Sequence, residues 1–212
     1  MDNKIKVSRV PSRGHYDKET IYRILDENFY CHVGFVHEGY PVVIPTAYGR
    51  NDDEIYLHGS TASRMVKDLS QGIEVCITVS KVNGLVLAKS GFHHSMNYES
   101  VVIFGKAVLI ESRQEKLDAL EVVTDHIIKG RWDEVRETTD KELKGTAVLK
   151  MSLEKASAKI RDVGVKDDKA DLDLPIWSGV IPIEHIYGQP WDVDERVETP
   201  ASILKLLKKE NA

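Results

Sequence analysis

The chain has 212 residues, 42% of them hydrophobic and 30% charged, with a net charge of −5 and only two cysteines. That length buries a core without staples, and Cys31 and Cys76 show neither CxxC nor metal-finger spacing, which points to buried thiols in a reducing compartment. The acidic balance without a basic stripe excludes a general nucleic-acid binder. No run approaches the roughly 20 apolar residues that span a bilayer, and Met1–Arg13 has no signal-peptide core, so a cytoplasmic protein with one domain over 1–212 is expected.

Residues 1–15 read as an extended arm broken by Pro11 and Gly14. A helix follows from Asp17, its cap, to about Asn28, with Ile21, Ile24, Leu25 and Phe29 near one face. Residues 30–37 alternate as a strand with Cys31, Val33 and Phe35 on one side, and His37-Glu38-Gly39 is a turn signal. The strand at 40–49 contains Pro41 and Pro45, which places it at an edge or on a bulge. A third strand is expected at 54–58, then a short helix at 61–70 with Met65, Val66 and Leu69 inward. Strands are expected at 73–80, 84–91 and 99–111, the last apolar on both faces and so inside a barrel wall or an interface. An amphipathic helix fits 113–129 through Leu117, Leu120, Val123 and Ile127, with a helical turn at 140–145. Strands return at 146–151 and 155–164, an acidic loop fills 166–174, and 175–190 is apolar again. Thr199-Pro200 starts a last helix, of which Lys205, Lys208 and Lys209 form a basic face. Six to eight short strands with few helices argue for a mainly β protein, a barrel or sandwich with peripheral helices.

The stretch His58-Gly59-Ser60-Thr61-Ala62-Ser63-Arg64 joins a strand to a helix. Unpaired amides at a helix start, the hydroxyls of Ser60, Thr61 and Ser63, and the fork of Arg64 form a donor set suited to a phosphate, and Gly59 permits close approach of a ligand. The alternative is a serine-capped surface helix with an exposed arginine. It is not the GxxxxGK[ST] pattern, so nucleotide hydrolysis is not expected. His93 and His94 are adjacent, point opposite ways in an extended chain and have no third ligand nearby, so the loop Phe92–Ser100 reads as a polar pocket lining and no metal site is expected. Trp132, Trp177 and Trp191 can each stack on a planar ligand, though packing is their default.

In order, Val42–Ala47, Ile55–Gly59, Ser63-Arg64 and Ser100–Ala107 resemble the pyridoxamine 5′-phosphate oxidase-like FMN-binding split barrels. Phe92–Tyr98 and Leu174–Val180 resemble the branch that includes the nitroimidazole-resistance (Nim-type) flavoproteins. The resemblance covers roughly residues 8–190. It implies a six-stranded split barrel, dimeric, with FMN in a cleft between the two subunits. On that pattern the strand Val43, Ile44, Pro45 and Thr46 lines the flavin edge with backbone groups. His58 and Gly59 lie near the ribityl chain and ring, Ser60, Ser63 and Arg64 hold the phosphate, Ser100 is a polar flavin contact, and Trp177 stands near the flavin. Two departures speak against oxidation of pyridoxamine phosphate itself. Met65 follows the phosphate arginine where the oxidases carry lysine, and 188–194 lacks their arginine–histidine pair.

The resemblance therefore implies an FMN-dependent oxidoreductase acting on a small substrate such as a nitroaromatic or quinone. A flavin-binding sensor, carrier or regulatory protein without catalysis is the alternative. His58 is the one candidate for a catalytic side chain. A third reading is a split barrel adapted to another planar cofactor such as haem, for which His58, His93 and His94 are the available ligands.

Overall fold

The computed structural model describes residues 5–194 and 196–209. Met1–Lys4 of the expected arm, and the side chains of Lys208 and Lys209, lie outside the described residues. The chain begins with β1 (Gly14–His15) and α1 (Lys18–Asp26), and continues through β2 (Tyr30–His37), β3 (Tyr40–Asn51), β4 (Glu54–Ser60), α2 (Arg64–Leu69), β5 (Glu74–Leu87), β6 (Ser95–Lys106) and β7 (Val108–Leu109). Then come α3 (Arg113–Ile127), α4 (Asp140–Gly145), β8 (Thr146–Ser152), β9 (Ala156–Arg161), β10 (Gly179–Pro182) and α5 (Ala201–Lys209). The expected mainly β barrel with peripheral helices is what the chain forms.

Local chemistry accounts for the element ends. The Asp17 side chain accepts from the Thr20 N–H at 2.8 Å and starts α1, which buries Ile21, Ile24 and Leu25. Phe29, expected on that face, falls past the helix end and is exposed. Glu38 and Gly39 take positive φ values of 49° and 85°, the twist that a tight β2–β3 hairpin requires. Ser112 caps α3, and Thr139 with Glu142 forms a reciprocal capping box on α4.

The strands run in the order β1-β9-β6-β5-β2-β3-β4-β8-β7, antiparallel throughout, with β10 added to β5. The sheet curls until β6 touches β8, while the β6–β9 ladder runs on into the β8–β9 turn, where the Phe104 N–H donates to the Lys155 carbonyl at 3.0 Å. Val33, Tyr48, Leu57, Ile77, Ile103 and Leu149 fill the interior. A smaller cluster of Ile110, Ala119 and Val148 lies between α3 and the outside of β8.

Two sequence expectations change in detail. The strands expected at 73–80 and 84–91 are one strand, β5, with a bulge between Val82 and Gly84, so the break expected between them is absorbed within a ladder. The loop expected over Phe92–Ser100 is shorter, because β6 already starts at Ser95. The edge expected from the prolines has a local form. Residues 40–47 of β3 pair only with β2, and β4 joins β3 only from Tyr48 onward, so Pro41 and Pro45 lie in a half-strand with one open side.

Candidate functional site

The register fixes which residues share the outside of the barrel wall. Pro45 pairs with His32, His32 with Thr78, and Thr78 with Val102, while Val43 pairs with Gly34, Gly34 with Cys76, and Cys76 with Phe104. Paired residues point to the same face, and the alternate set, which includes Val33, Ile77 and Ile103, is buried in the core. Val43, Pro45, His32, Thr78, Cys76, Phe104, Val102 and Ser100 therefore share one outer face, half-exposed, with Val43, Pro45, Cys76, Phe104 and Val102 as its apolar part. Val43 is 65% exposed there. Ile44 and Thr46 alternate to the inner side, and Ile44 packs on the core. The Ser100 hydroxyl donates to the Lys159 carbonyl at 3.4 Å.

The open side of β3 carries free backbone groups. The Tyr48 N–H donates to the Phe29 carbonyl at 3.1 Å, so even-numbered amides on β3 point toward β2. By alternation the Val43 and Ala47 amides point to the open side, where Pro41 and Pro45 have no N–H to leave unmet. The backbone of Val43 is thus a free donor and acceptor on an apolar surface.

The β4–α2 connection is built as a tight turn. The Ser63 N–H donates to the Ser60 carbonyl at 2.9 Å, the Ala62 N–H to Ser60 Oγ at 3.2 Å, and the Thr61 N–H to the Gly145 carbonyl at 3.0 Å. Ser63 occupies the cap position of α2 without making a side-chain cap bond, so its hydroxyl is uncommitted. The Arg64 guanidinium is exposed and, among the described residues, has no hydrogen-bond or ion-pair partner. A carbon added at Gly59 would meet Val66 Cγ2 at 3.1 Å, so the packing of α2 on β4 already calls for a small residue there. His37 Nδ1 and Asp68 Oδ2, 2.7 Å apart, tie the end of β2 to α2.

His58 lies elsewhere. It pairs with Val148 and alternates with Leu57, so it shares the face of Tyr56 and Val148 that lies toward the small cluster under α3, not the core side. Its Nδ1 is buried and has no partner among the described residues, and burial lowers its pKa, which keeps the ring neutral. Trp177 is 64% exposed, and its ring lies over Gly179, where an added carbon would be 2.7 Å from Trp177 Cζ2. Gly179 pairs with Leu87 at the far end of β5, so β5, β2 and β3 separate Trp177 from β4. His93 faces Asp168 at 3.1 Å, and His94 reaches the Ala88 carbonyl at 3.0 Å.

Within one chain the predicted residues thus form three groups: the outer sheet face with Val43, Pro45 and Ser100, the turn with Ser60, Ser63 and Arg64, and Trp177 on the β10 extension. Two clefts, of about 250 and 350 Å³, lie between α1 and the β8–β9 turn and between α3 and α4, and neither is lined by a predicted site residue. Sequence reasoning placed this strand at an edge from its two prolines but missed that the open half exposes the Val43 backbone. It also missed Lys89, whose ammonium donates to the Leu172 and Leu174 carbonyls and whose N–H donates to Asp167, fastening the segment that carries Trp177.

A family model described as pyridoxamine 5′-phosphate oxidase matches residues 17–160. The structure of the flavocytochrome Anf3 from Azotobacter vinelandii is 37% identical, with 97% of each chain covered and a TM-score of 0.89. The FAD and heme binding protein from Mycobacterium smegmatis is 31% identical over 92% of this chain and 97% of its own, with a TM-score of 0.87. A 5-nitroimidazole antibiotic resistance protein from Bacteroides thetaiotaomicron, described as putative in its own structure, is 29% identical over 69% of this chain and 86% of its own, with a TM-score of 0.59. No curated protein sequence matches the chain. No helix among the described residues is long and apolar enough to cross a membrane.

Proposed function

The chain belongs to the pyridoxamine 5′-phosphate oxidase family, and from that premise we propose that it holds a flavin nucleotide and works as a redox protein on a small acceptor. The observation that carries this reading is the unpartnered Arg64 beside the hydroxyls of Ser60, Thr61 and Ser63, in a chain that matches a flavocytochrome along 97% of its length. The donor set suits a phosphate tail, and the Val43 backbone on an apolar face suits the planar head with its polar rim. Bound there, a flavin supplies transfer of one or two electrons. The chain's own share is to hold the phosphate through Arg64 and Ser63, to offer the Val43 amide to the ring edge, and to cover the ring with apolar surface.

FMN is the nucleotide implied by the family pattern, while the Mycobacterium smegmatis relative is named for FAD. The half-exposed outer face, and Trp177 standing apart, favour a homodimer in which a second copy covers the sheet and brings the three groups together. The absorbance spectrum of the purified protein, with FMN or FAD added and then dithionite, is the first test. Flavin bands that stay with the protein through gel filtration and bleach on reduction are expected. A protein that retains neither nucleotide overturns the reading. Turnover of NAD(P)H with nitroaromatic or quinone acceptors separates the oxidoreductase from a flavin-binding sensor or carrier.

A second cofactor is favoured by one observation. His37, His93, His94, His126 and His185 commit a ring nitrogen to a neighbour, and His15 and His32 do not, but among the described residues only half-buried His58, kept neutral by desolvation, has a ring nitrogen, Nδ1, that is itself buried and unpartnered. A neutral imidazole is the form that binds haem iron, and the two relatives matched along nearly their whole length are a flavocytochrome and an FAD and heme binding protein. A Soret band on haem addition that is lost in His58→Ala, with flavin binding retained, supports this assignment. A band unaffected by that change, or no band, removes it.

A further inference from the structure

Arg161, the last residue of β9, is 8% exposed. Its Nη1 donates to Asn97 Oδ1 at 2.5 Å and to the Val163 carbonyl at 3.5 Å. Asn97 is 6% exposed, and its Oδ1 also accepts from the Val163 N–H at 3.2 Å. Both acceptors of Arg161 are neutral. Among the described residues no carboxylate pairs with it, and its Nε and Nη2 have no partner. Neither nitrogen is both fully buried and unpartnered, so both keep a path to solvent. A covered charge without a counter-charge costs several kcal/mol, which is why covered arginines ordinarily face an anion.

The surroundings add positive charge. Gly14 of β1 pairs with Lys159, Arg13 directly precedes Gly14, and Lys159 and Arg161 alternate onto one face of β9, so three cationic residues lie along the β1–β9 pairing. Burial first, and then the field of Arg13, hold the Arg161 guanidinium below its ordinary pKa, which places the two guanidiniums in one neighbourhood. Arg13 and Lys159 form no side-chain ion pair among the described residues. A structural role, tying β6 to the chain beyond β9, uses only Nη1. It does not account for the other two nitrogens or for the company of Arg13 and Lys159.

We propose that Arg13, Lys159 and Arg161 form an anion site on the β1–β9 edge, which binds the phosphate group of a small molecule other than the flavin. Two planar forks and an ammonium suit a tetrahedral oxyanion better than any neutral ligand. Lys159 pairs with Ser100, which lies on the outer sheet face, so the site borders the surface assigned above to the flavin ring. A phosphorylated co-substrate anchored there reaches toward that face. The anion site itself does not rest on the flavin reading, because β1 and β9 stand at the opposite end of the strand order from β4 and Arg64.

The probe is inorganic phosphate, followed by ³¹P NMR line broadening on the full chain, with and without saturating flavin. Saturable binding is expected in both states, weakened about tenfold or more in Arg13→Gln and in Lys159→Gln, a loss of roughly 1.4 kcal/mol or more. Neither side chain belongs to the Asn97 network, so both variants should fold, which circular dichroism checks. Arg161→Lys, which keeps a donor for Asn97 but loses the fork, should also weaken phosphate. Absence of saturable binding by the wild type overturns the proposal, as does binding that Arg13→Gln and Lys159→Gln leave unchanged. Phosphate that binds only after dissociation to monomers also overturns it, since a carboxylate of a second copy would then be the counter-charge.

Discussion

Alanine at Gly49 should loosen the contact between α3 and the barrel. Gly49 pairs with Tyr56, and α3 crosses directly above it. A carbon added there would lie 2.7 Å from Val123 Cα, 2.8 Å from Val123 N and 2.9 Å from Val122 C. Carbon atoms rest at about 3.5–4.0 Å, so the helix must withdraw by roughly 1 Å. All three obstructing atoms are backbone, so no side-chain rotation relieves the clash. Withdrawal also parts Ala119 from Val148 and Tyr56. Overpacking costs about 1–3 kcal/mol, and an obstruction made of helix backbone places this case near 2–3 kcal/mol. For a chain of this size that is a fall in Tm of roughly 4–12 °C. Urea unfolding followed by tryptophan fluorescence measures it, with Gly145→Ala as the control. Nothing lies within 4 Å of that glycine, so the control should change stability by less than about 1 kcal/mol. If Gly49→Ala unfolds at the same urea concentration as the wild type, the packing argument fails.

Arg64→Ala should weaken flavin binding by about 1.5–3 kcal/mol, nearer the lower figure because the guanidinium is exposed, which is roughly ten- to thirtyfold by fluorescence titration; an unchanged affinity would show the phosphate lies elsewhere. Tyr48→Phe removes the bond from the buried Tyr48 hydroxyl to the Leu25 carbonyl, 2.7 Å long, and should cost about 1–1.5 kcal/mol in the same unfolding assay. His58 and His126 both have pKa values lowered in the fold, chiefly by burial, so below their ordinary value of 6.5 the unfolded chain takes up more protons than the folded one. Their contribution is whole above 6.5 and is lost as the pH falls through the depressed folded values, and His58→Leu should flatten part of that slope in a pH series of Tm. Lys89→Met frees the Leu172 and Leu174 carbonyls and should speed limited proteolysis within 163–182 while sparing the barrel, an outcome read by mass spectrometry.

Features encoded by neighbouring residues were legible in the sequence. Asp17 as a cap, the alternation of Cys31, Val33 and Phe35, the Glu38-Gly39 turn and the inward face of α2 each depend on a few consecutive side chains. The hydroxyls of Ser60, Thr61 and Ser63 beside Arg64 stood together in the sequence for the same reason, but the amides expected to be unpaired there are not: Thr61 donates to Gly145, and Ala62 and Ser63 donate to Ser60, because the chain closes a tight turn before α2. The β5 bulge was not legible, because Asn83-Gly84 carries the same signal in a bulge as in a turn, and only pairing with β6 on one side and β10 on the other distinguishes them. His58 read as a flavin neighbour from its place in the motif, yet strand alternation turns its side chain toward α3. The cation cluster was invisible because Arg13 and Arg161 are remote in sequence and meet only through the pairing of β1 with β9. Gly49 offered a weak signal, a lone glycine in a strand, whose meaning depends on where α3 lands.

β10 pairs with Gly84–Leu87 of β5 along a stretch that otherwise has only β6 beside it. It is held closely, since a carbon added at Gly84 would be 3.0 Å from the Ile181 carbonyl oxygen. A chain cut after β9 would keep the barrel but uncover that border, a row of unmatched amides flanked by Leu85, Val86 and Leu87. Such a border is a template for any extended peptide, and shortened forms of the protein would stick to one another there. The C-terminal quarter of the chain would thus act as a built-in guard against aggregation, and shortened forms that lack it should lose solubility before they lose their fold.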